Sequence, residues 1–262
     1  KKIAKKYNLK IISDSAQSPG AKYNKRFAGT LTEIGGISLN YHKHINTGEG
    51  GMVFTNNKKY AEKIYLIRNH AEAAVAKKKV KNLTNLLGYN FRMGEVEAAI
   101  GLEQIKKLNK IIKKKQTIAK ILIKGLSGLK GLKMPIIKKN CSHVFYVFPM
   151  QIMSNETGVH RDKIYKALQA EGVEGLQINF THIPRLPLFE NKIAYGSKGF
   201  PWSLNKYSKK IKYGKGICPI ADELLDNRYL GLLLCSYDYQ KKHARNVIDA
   251  FRKVWSNLSS LK

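Results

Sequence analysis

Apolar residues in this chain fall in short runs separated by lysine-rich stretches, and the pattern changes near Gly125. Lys1–Asn8 reads as the end of a helix leading into a first apolar run, Leu9–Ile12. A second run, Gly51–Thr55 (Gly-Met-Val-Phe-Thr), has the same length. Both are expected to be short buried strands of a largely parallel sheet flanked by helices. Lys58–His70 places Tyr60, Ile64 and Ile67 on one helical face. Ala73–Asn85 is lysine-rich, has no period and reads as a loop. From Met93 to about Lys124, Val96, Ala99, Ile100, Leu108, Ile111, Ile118 and Leu122 fall on one stripe, predicting a single long amphipathic helix. Past Gly125, Val144–Met150 reads as a strand and Arg161–Glu171 as a helix closed by Gly172. Lys241–Leu258 reads as a terminal helix with Val247, Ile248, Phe251 and Val254 inward. The organisation expected is an α/β domain over 1–120, ending in most of the linking helix, and a smaller α+β domain over 121–262.

The net charge of +30 raises the question of a nucleic-acid partner. Only eight of the 48 basic residues are arginine, the residue suited to base and phosphate contacts. The lysines are scattered, as at Lys77–Lys81, Lys113–Lys115 and Lys138–Lys139, which reads as solvated faces and loops. Salt-sensitive adhesion to polyanions is expected, and no specific nucleic-acid site. Cys141, Cys218 and Cys235 are widely spaced and odd in number, which points to a reducing compartment. No apolar run approaches the ~20 residues a membrane-spanning helix needs. A cytoplasmic protein is expected.

Candidate chemistry concentrates between Ile11 and Gly51. Asp14 follows the first apolar run, and Lys43 stands ahead of a Gly48-Glu49-Gly50-Gly51 turn. If buried, a carboxylate and a lysine each need a compensating partner. Pyridoxal 5'-phosphate engages both, the lysine through its aldehyde and the carboxylate through its ring nitrogen.

The residues around these two positions resemble the DegT/DnrJ/StrS family of sugar aminotransferases, pyridoxal-phosphate enzymes of the aspartate aminotransferase fold (fold type I). The family's Glu-Asp-x-Ala-Gln-x-x-Gly is matched at Asp14, Ala16, Gln17 and Gly20, with Ser13 in place of the glutamate. Its Ser-Phe-x-x-x-Lys-x-Ile-x-x-Gly-Glu-Gly-Gly is matched without a gap at Ser38, Lys43, Ile45 and Gly48 through Gly51, with Leu39 in place of the phenylalanine. Gly88-Tyr-Asn90-Phe-Arg92-Met resembles the family's Gly-Tyr-Asn-Tyr-Arg-Met, and Asp222-Glu223 more loosely a late Pro-x-Ala-Glu element.

The resemblance implies specific roles. Lys43 would be the catalytic lysine that binds the cofactor covalently and shuttles the substrate proton. Asp14 would keep the pyridine nitrogen protonated, Gln17 would lie against the ring, and Ser38 would contact the phosphate. Asn90 would reach the phosphate of the neighbouring subunit in a homodimer, or alternatively cap the long helix. Arg92 is a candidate for the same interface or for internal pairing. Gly48, Gly50 and Gly51 would shape the turn, and His42 and His44 would pack or touch substrate.

The implied reaction moves an amino group from an amino acid, glutamate being expected, to a keto-sugar, typically nucleotide-linked, for polysaccharide or lipopolysaccharide synthesis. Thr181–Phe189 departs from the family's Tyr-Pro…Pro-Leu-His pattern, so an unusual acceptor sugar is expected. A related subgroup of sugar dehydratases carries histidine in place of the lysine, and here that position is Lys43. A further alternative is a truncated, non-catalytic partner protein. Family members usually carry additional residues ahead of this point, so the chain is expected to hold only part of the large domain and to aggregate through open sheet edges.

Overall fold

A computed structural model describes residues 1–72 and 86–262. The loop expected at Ala73–Asn85 lies outside them. The chain divides into two compact units. The first comprises Lys1–Ala119, Ile136–Tyr146 and Leu234–Asp238; the second comprises Lys120–Pro135, Val147–Leu233 and Tyr239–Lys262.

The strands, in chain order, are β1 (Ile12–Asp14), β2 (Lys22–Tyr23), β3 (Arg26–Phe27), β4 (Ile34–Ser38), β5 (Gly51–Phe54), β6 (Leu132–Lys133), β7 (Cys141–Ser142), β8 (Phe148–Ile152), β9 (Leu176–Gln177) and β10 (Tyr229–Leu232). The first unit holds two three-stranded sheets, β1-β4-β5 and β3-β2-β7. β1 runs parallel to β4, with Ile12 opposite Ile34 and Asp14 opposite Gly36. β5 returns antiparallel, with Ser38 opposite Gly51. Gly35 of β4 leaves room for the backbone of Gly29, since a Cβ there would fall 1.8 Å from the Gly29 carbonyl oxygen.

Several expectations for this unit are corrected. The first strand is Ile12–Asp14, not Leu9–Ile12, and it is not buried: Ile12 is 72% exposed. It lies at a sheet edge, so among the described residues its outer side has no paired strand. β5 also faces outward, with Met52 and Val53 exposed. The helix expected at Lys58–His70 runs Lys58–Arg68, and the Asn57 side chain caps it by accepting from the Tyr60 N–H at 3.2 Å. Left-handed backbone at His70 and Ala71 follows its end. Its buried side chain is Leu66, with Tyr60, Ile64 and Ile67 only half-buried.

The long helix spans Glu95–Leu126. Its apolar stripe is not buried throughout: Val96 is 70% exposed and Ile100 is also open, whereas Ile118 and Leu122 are fully covered. Residues up to Ala119 belong to the first unit and those from Lys120 to the second.

The second unit is built on the four-stranded antiparallel sheet β6-β8-β10-β9. The strand expected at Val144–Met150 begins later, at Phe148. Phe145 adopts φ +52°, a left-handed conformation that interrupts an extended run. Along β8, Phe148, Met150 and Ile152 alternate inward, the period of a sheet buried on one face. They share the core with Leu230 and Leu232 of β10 and with Ile164 and Leu168 of the helix Arg161–Ala170. Gly172, at φ +79°, lies just past that helix as expected. The terminal helix, Lys241–Ser256, buries Val247, Phe251 and Val254, three of the four inward positions its pattern predicts, and leaves the fourth, Ile248, half-buried.

Candidate active site

Asp14 and Ser38 are the last residues of the parallel neighbours β1 and β4, so both stand at the carboxyl ends of adjacent strands. In open α/β sheets this is where loops leave the sheet and ligands bind. Asp14 is exposed, not buried as its apolar lead-in suggested. One carboxylate oxygen accepts from the Ala16 N–H at 3.0 Å, and the other has no partner among the described residues. The Ser38 hydroxyl accepts from the Asn40 N–H at 3.2 Å.

From Ser38 the chain enters a loop whose ends are pinned together. The Leu39 N–H donates to Gly50 O and the Thr47 N–H to Leu39 O, both at 2.9 Å. The side chains of Leu39 and Ile45 are buried beneath it. The turn requires glycine at two places: Gly48 has φ +84° and Gly50 φ +155°. At Gly50 a Cβ would also meet the Thr47 hydroxyl at 2.7 Å, and that hydroxyl donates to Glu49 O. Gly51 has no such backbone requirement.

Lys43 rides on this loop and is half-buried. Its Nζ lies 4.6 Å from the centroid of the Tyr146 ring. The next residue, His44, is buried and donates from Nε2 to Val144 O at 2.8 Å. Burial holds its imidazole below the usual histidine range, which keeps it neutral. His44 is therefore a packing residue that anchors the loop. His42 stays half-buried, with its ring 5.9 Å from that of Tyr146.

The other expected residues are more scattered. Gln17 is exposed, in the turn that follows Asp14. Asn90 is exposed and forms an isolated bridge with Asn69, so it does not cap the long helix, which starts at Glu95. Arg92 takes the internal option, donating to Asn69 Oδ1 at 2.5 Å.

Some residues matter in ways sequence reasoning did not anticipate. Lys115, read as part of a solvated lysine face, is 6% exposed and donates to Tyr237 O at 2.8 Å. Burial lowers its affinity for a proton. Nearby, burial pushes the Cys235 thiol up to about 11, against the opposing charges of Lys115 and Lys43. A helical wheel centred on Ile111, Ile118 and Leu122 would have placed Lys115 on the covered side.

In the second unit, Asp222 is buried and accepts from the Gly216 N–H at 2.7 Å and from Arg185. Both donors hold its carboxyl below the usual range, the backbone bond most strongly. Arg185 and Lys215 hold Asp226 far lower still. Thr181–Phe189 and the late Asp222-Glu223 element therefore meet in one ion-pair cluster. Arg161, also in this unit, is fully buried on carbonyl oxygens of Tyr229, Asp226 and Ile178. Among the described residues, no helix is long and apolar enough to cross a membrane.

With this geometry in view, similarity to known proteins becomes informative. A profile of the DegT/DnrJ/EryC1/StrS aminotransferase family matches residues 1–215. The chain belongs to this family. An uncharacterized protein of Methanocaldococcus jannaschii is 32% identical over 232 residues, covering 86% of this chain and 58% of that protein. A GDP-perosamine synthase of Vibrio cholerae is 32% identical over 209 residues, covering 79% of this chain and 54% of the relative. The chain thus spans little more than half of these relatives. The solved aminotransferase of Psychrobacter cryohalolentis superposes with a TM-score of 0.77 at 21% identity, over 98% of this chain and 65% of the other. That likeness carries the fold, the α/β fold type I expected from the motifs.

Proposed function

We propose that this chain acts as a pyridoxal-phosphate-dependent aminotransferase that moves an amino group from an amino acid, with glutamate the expected donor, to a nucleotide-linked keto-sugar. The observation that carries the reading is the joint placement of Asp14 and Ser38 at adjacent parallel strand ends, with the Lys43 loop leaving directly from Ser38. The residues suit the cofactor. Asp14 keeps one carboxylate oxygen open, the Ser38 hydroxyl still has a proton to donate, and Lys43 presents an amine on a loop fixed by buried anchors. When bound, pyridoxal phosphate supplies an electron sink for the pair released as the substrate C–H bond breaks.

The chain's own residues would then do the following. Lys43 Nζ holds the cofactor covalently, and once released it carries the proton between substrate carbon and cofactor carbon. Asp14 would hold the proton on the cofactor's ring nitrogen. Ser38 binds the phosphate from this subunit, and Asn90, exposed at its bridge, binds it from the partner in a homodimer. Gln17 orients the ring. The name of the Vibrio cholerae relative supports a nucleotide-linked sugar, and that of a spore coat polysaccharide biosynthesis protein of Bacillus subtilis, 25% identical over 215 residues, supports a role in polysaccharide synthesis. We place the reaction in the cytoplasm, where three unpaired cysteines stay reduced.

The dehydratase alternative needs a histidine in the lysine's role. His44, the adjacent histidine, is committed to Val144 O and buried, which favours aminotransfer.

The test is to incubate the protein with pyridoxal phosphate, follow the visible absorbance, reduce with borohydride and map the adduct by mass spectrometry. A band that glutamate bleaches, with the adduct on Lys43 and neither in Lys43→Ala, is the expected result. Folded protein that gains no adduct, or gains it on another lysine, would overturn the reading in favour of a non-catalytic partner.

A further inference from the structure

Of the described cations that sit over aromatic rings, four pair with a ring within five residues in sequence: Lys6 with Tyr7, Lys22 with Phe27, Arg68 with Tyr65, and Lys206 with Tyr207. Such pairs form wherever a flexible side chain lies beside its neighbour. Lys43 is different, because its ring partner comes from a distant segment of the same unit. Tyr146 is also held in place. Its carbonyl accepts from the Cys235 N–H at 3.1 Å, and the rings of His42 and His44 stand 5.9 and 6.4 Å away. Two residues before it, Val144 O takes the His44 hydrogen bond at 2.8 Å. The His44 side chain thus ties the loop that bears Lys43 to the segment that bears Tyr146.

We propose that Tyr146 is a positioning residue for Lys43, its ring face receiving the amine as a cation whenever that amine is not covalently engaged. The inference builds on the reading of Lys43 as the cofactor-binding lysine. A lysine has four rotatable bonds and loses considerable freedom when held in one orientation. An aromatic face opposes that loss through its quadrupole while leaving the amine no hydrogen-bond partner to displace. Burial, with Cys235 and Tyr41 nearby, pushes the Tyr146 phenol up, so it stays neutral through the physiological range.

The test uses cofactor-free protein. Trace labelling with acetic anhydride, quantified by mass spectrometry against exposed Lys120, reports how open the Lys43 amine is. In Tyr146→Leu, Lys43 labelling is expected to rise by about two- to thirtyfold, the range a cation–π contact spans. In Tyr146→Phe, which keeps the ring, it stays at the parent value. Unchanged labelling in Tyr146→Leu overturns the proposal, and so does an equal rise in both variants, which would credit the hydroxyl. Because Tyr146→Leu could misfold, a second measurement leaves Tyr146 in place. In a 13Cζ-tyrosine spectrum, Lys43→Met is expected to shift the Tyr146 resonance while Lys120→Met does not. An unmoved resonance also overturns it. Neither measurement requires cofactor, so the contact can fail while Lys43 still takes pyridoxal phosphate, or hold while it takes none.

Discussion

The two units of this chain solve the burial problem differently. The second packs an open four-stranded sheet against the helix Arg161–Ala170: Phe148, Met150, Ile152, Leu230, Leu232 and Phe251 are all fully buried. The first carries the candidate site yet leaves Ile12, Met52, Val53, Val96 and Ile100 open. Its order around Lys43 comes from a short loop pinned by Leu39, Ile45, His44 and two left-handed glycines. Where sheet burial is thin, local hydrogen bonds and backbone geometry hold the candidate side chains. Substitutions should therefore hurt most through packing in the second unit, and through backbone and loop chemistry in the first.

The largest expected effect is Phe251→Ala, which removes a fully buried ring from the second core and should cost about 3–5 kcal/mol. Urea denaturation measures it, and a loss below about 1 kcal/mol would break the contrast. Next comes Arg161→Met in the same unit. It strands the carbonyls of Tyr229 and Asp226 and should cost about 1–3 kcal/mol, which a thermal melt would register. In the first unit, Gly35→Ala forces a Cβ onto the Gly29 carbonyl and should cost about 1–3 kcal/mol. Hydrogen exchange should show that loss in the first unit; protection lost only in the second would contradict it.

A smaller effect is set by pH. Burial lowers the proton affinity of His44 and His143 in the folded chain. Below the ordinary histidine value near 6.5 the unfolded chain therefore binds protons that the folded chain refuses, and stability falls as pH drops through that value. Urea midpoints at pH 7.5 and 5.5 should differ in this direction, and His44→Gln should flatten the difference. A midpoint that rises on acidification would show that the sign is wrong. The smallest effect is Ile12→Ser at the exposed sheet edge, expected within about 0.5 kcal/mol of the parent.

Legibility in the sequence followed the same division. The helices Arg161–Ala170 and Lys241–Ser256 were readable because their apolar residues repeat with the helical period and meet a complete core. The motif positions Asp14, Ser38, Lys43, Gly48 and Gly50 were readable because a tightly pinned loop between strand ends constrains residue type at fixed spacing. Burial in the first unit was not readable, since Leu9, Ile12, Val96 and Ile100 are apolar whether or not anything covers them. Lys115 was misread for the converse reason: an ammonium is buried only where a carbonyl such as that of Tyr237 awaits it.

The sequence by itself therefore determined the family, the helices whose apolar residues repeat with the helical period, and the residues to weigh for chemistry, because spacing and residue type are local properties of the chain. Tertiary structure alone decided which apolar faces are covered, that Arg185 meets Asp222 and Asp226, and that the Lys43 amine lies over the Tyr146 ring. Those outcomes depend on segments far apart in the chain. No local pattern records which distant side chain will arrive to share a carboxylate, a carbonyl or an aromatic face.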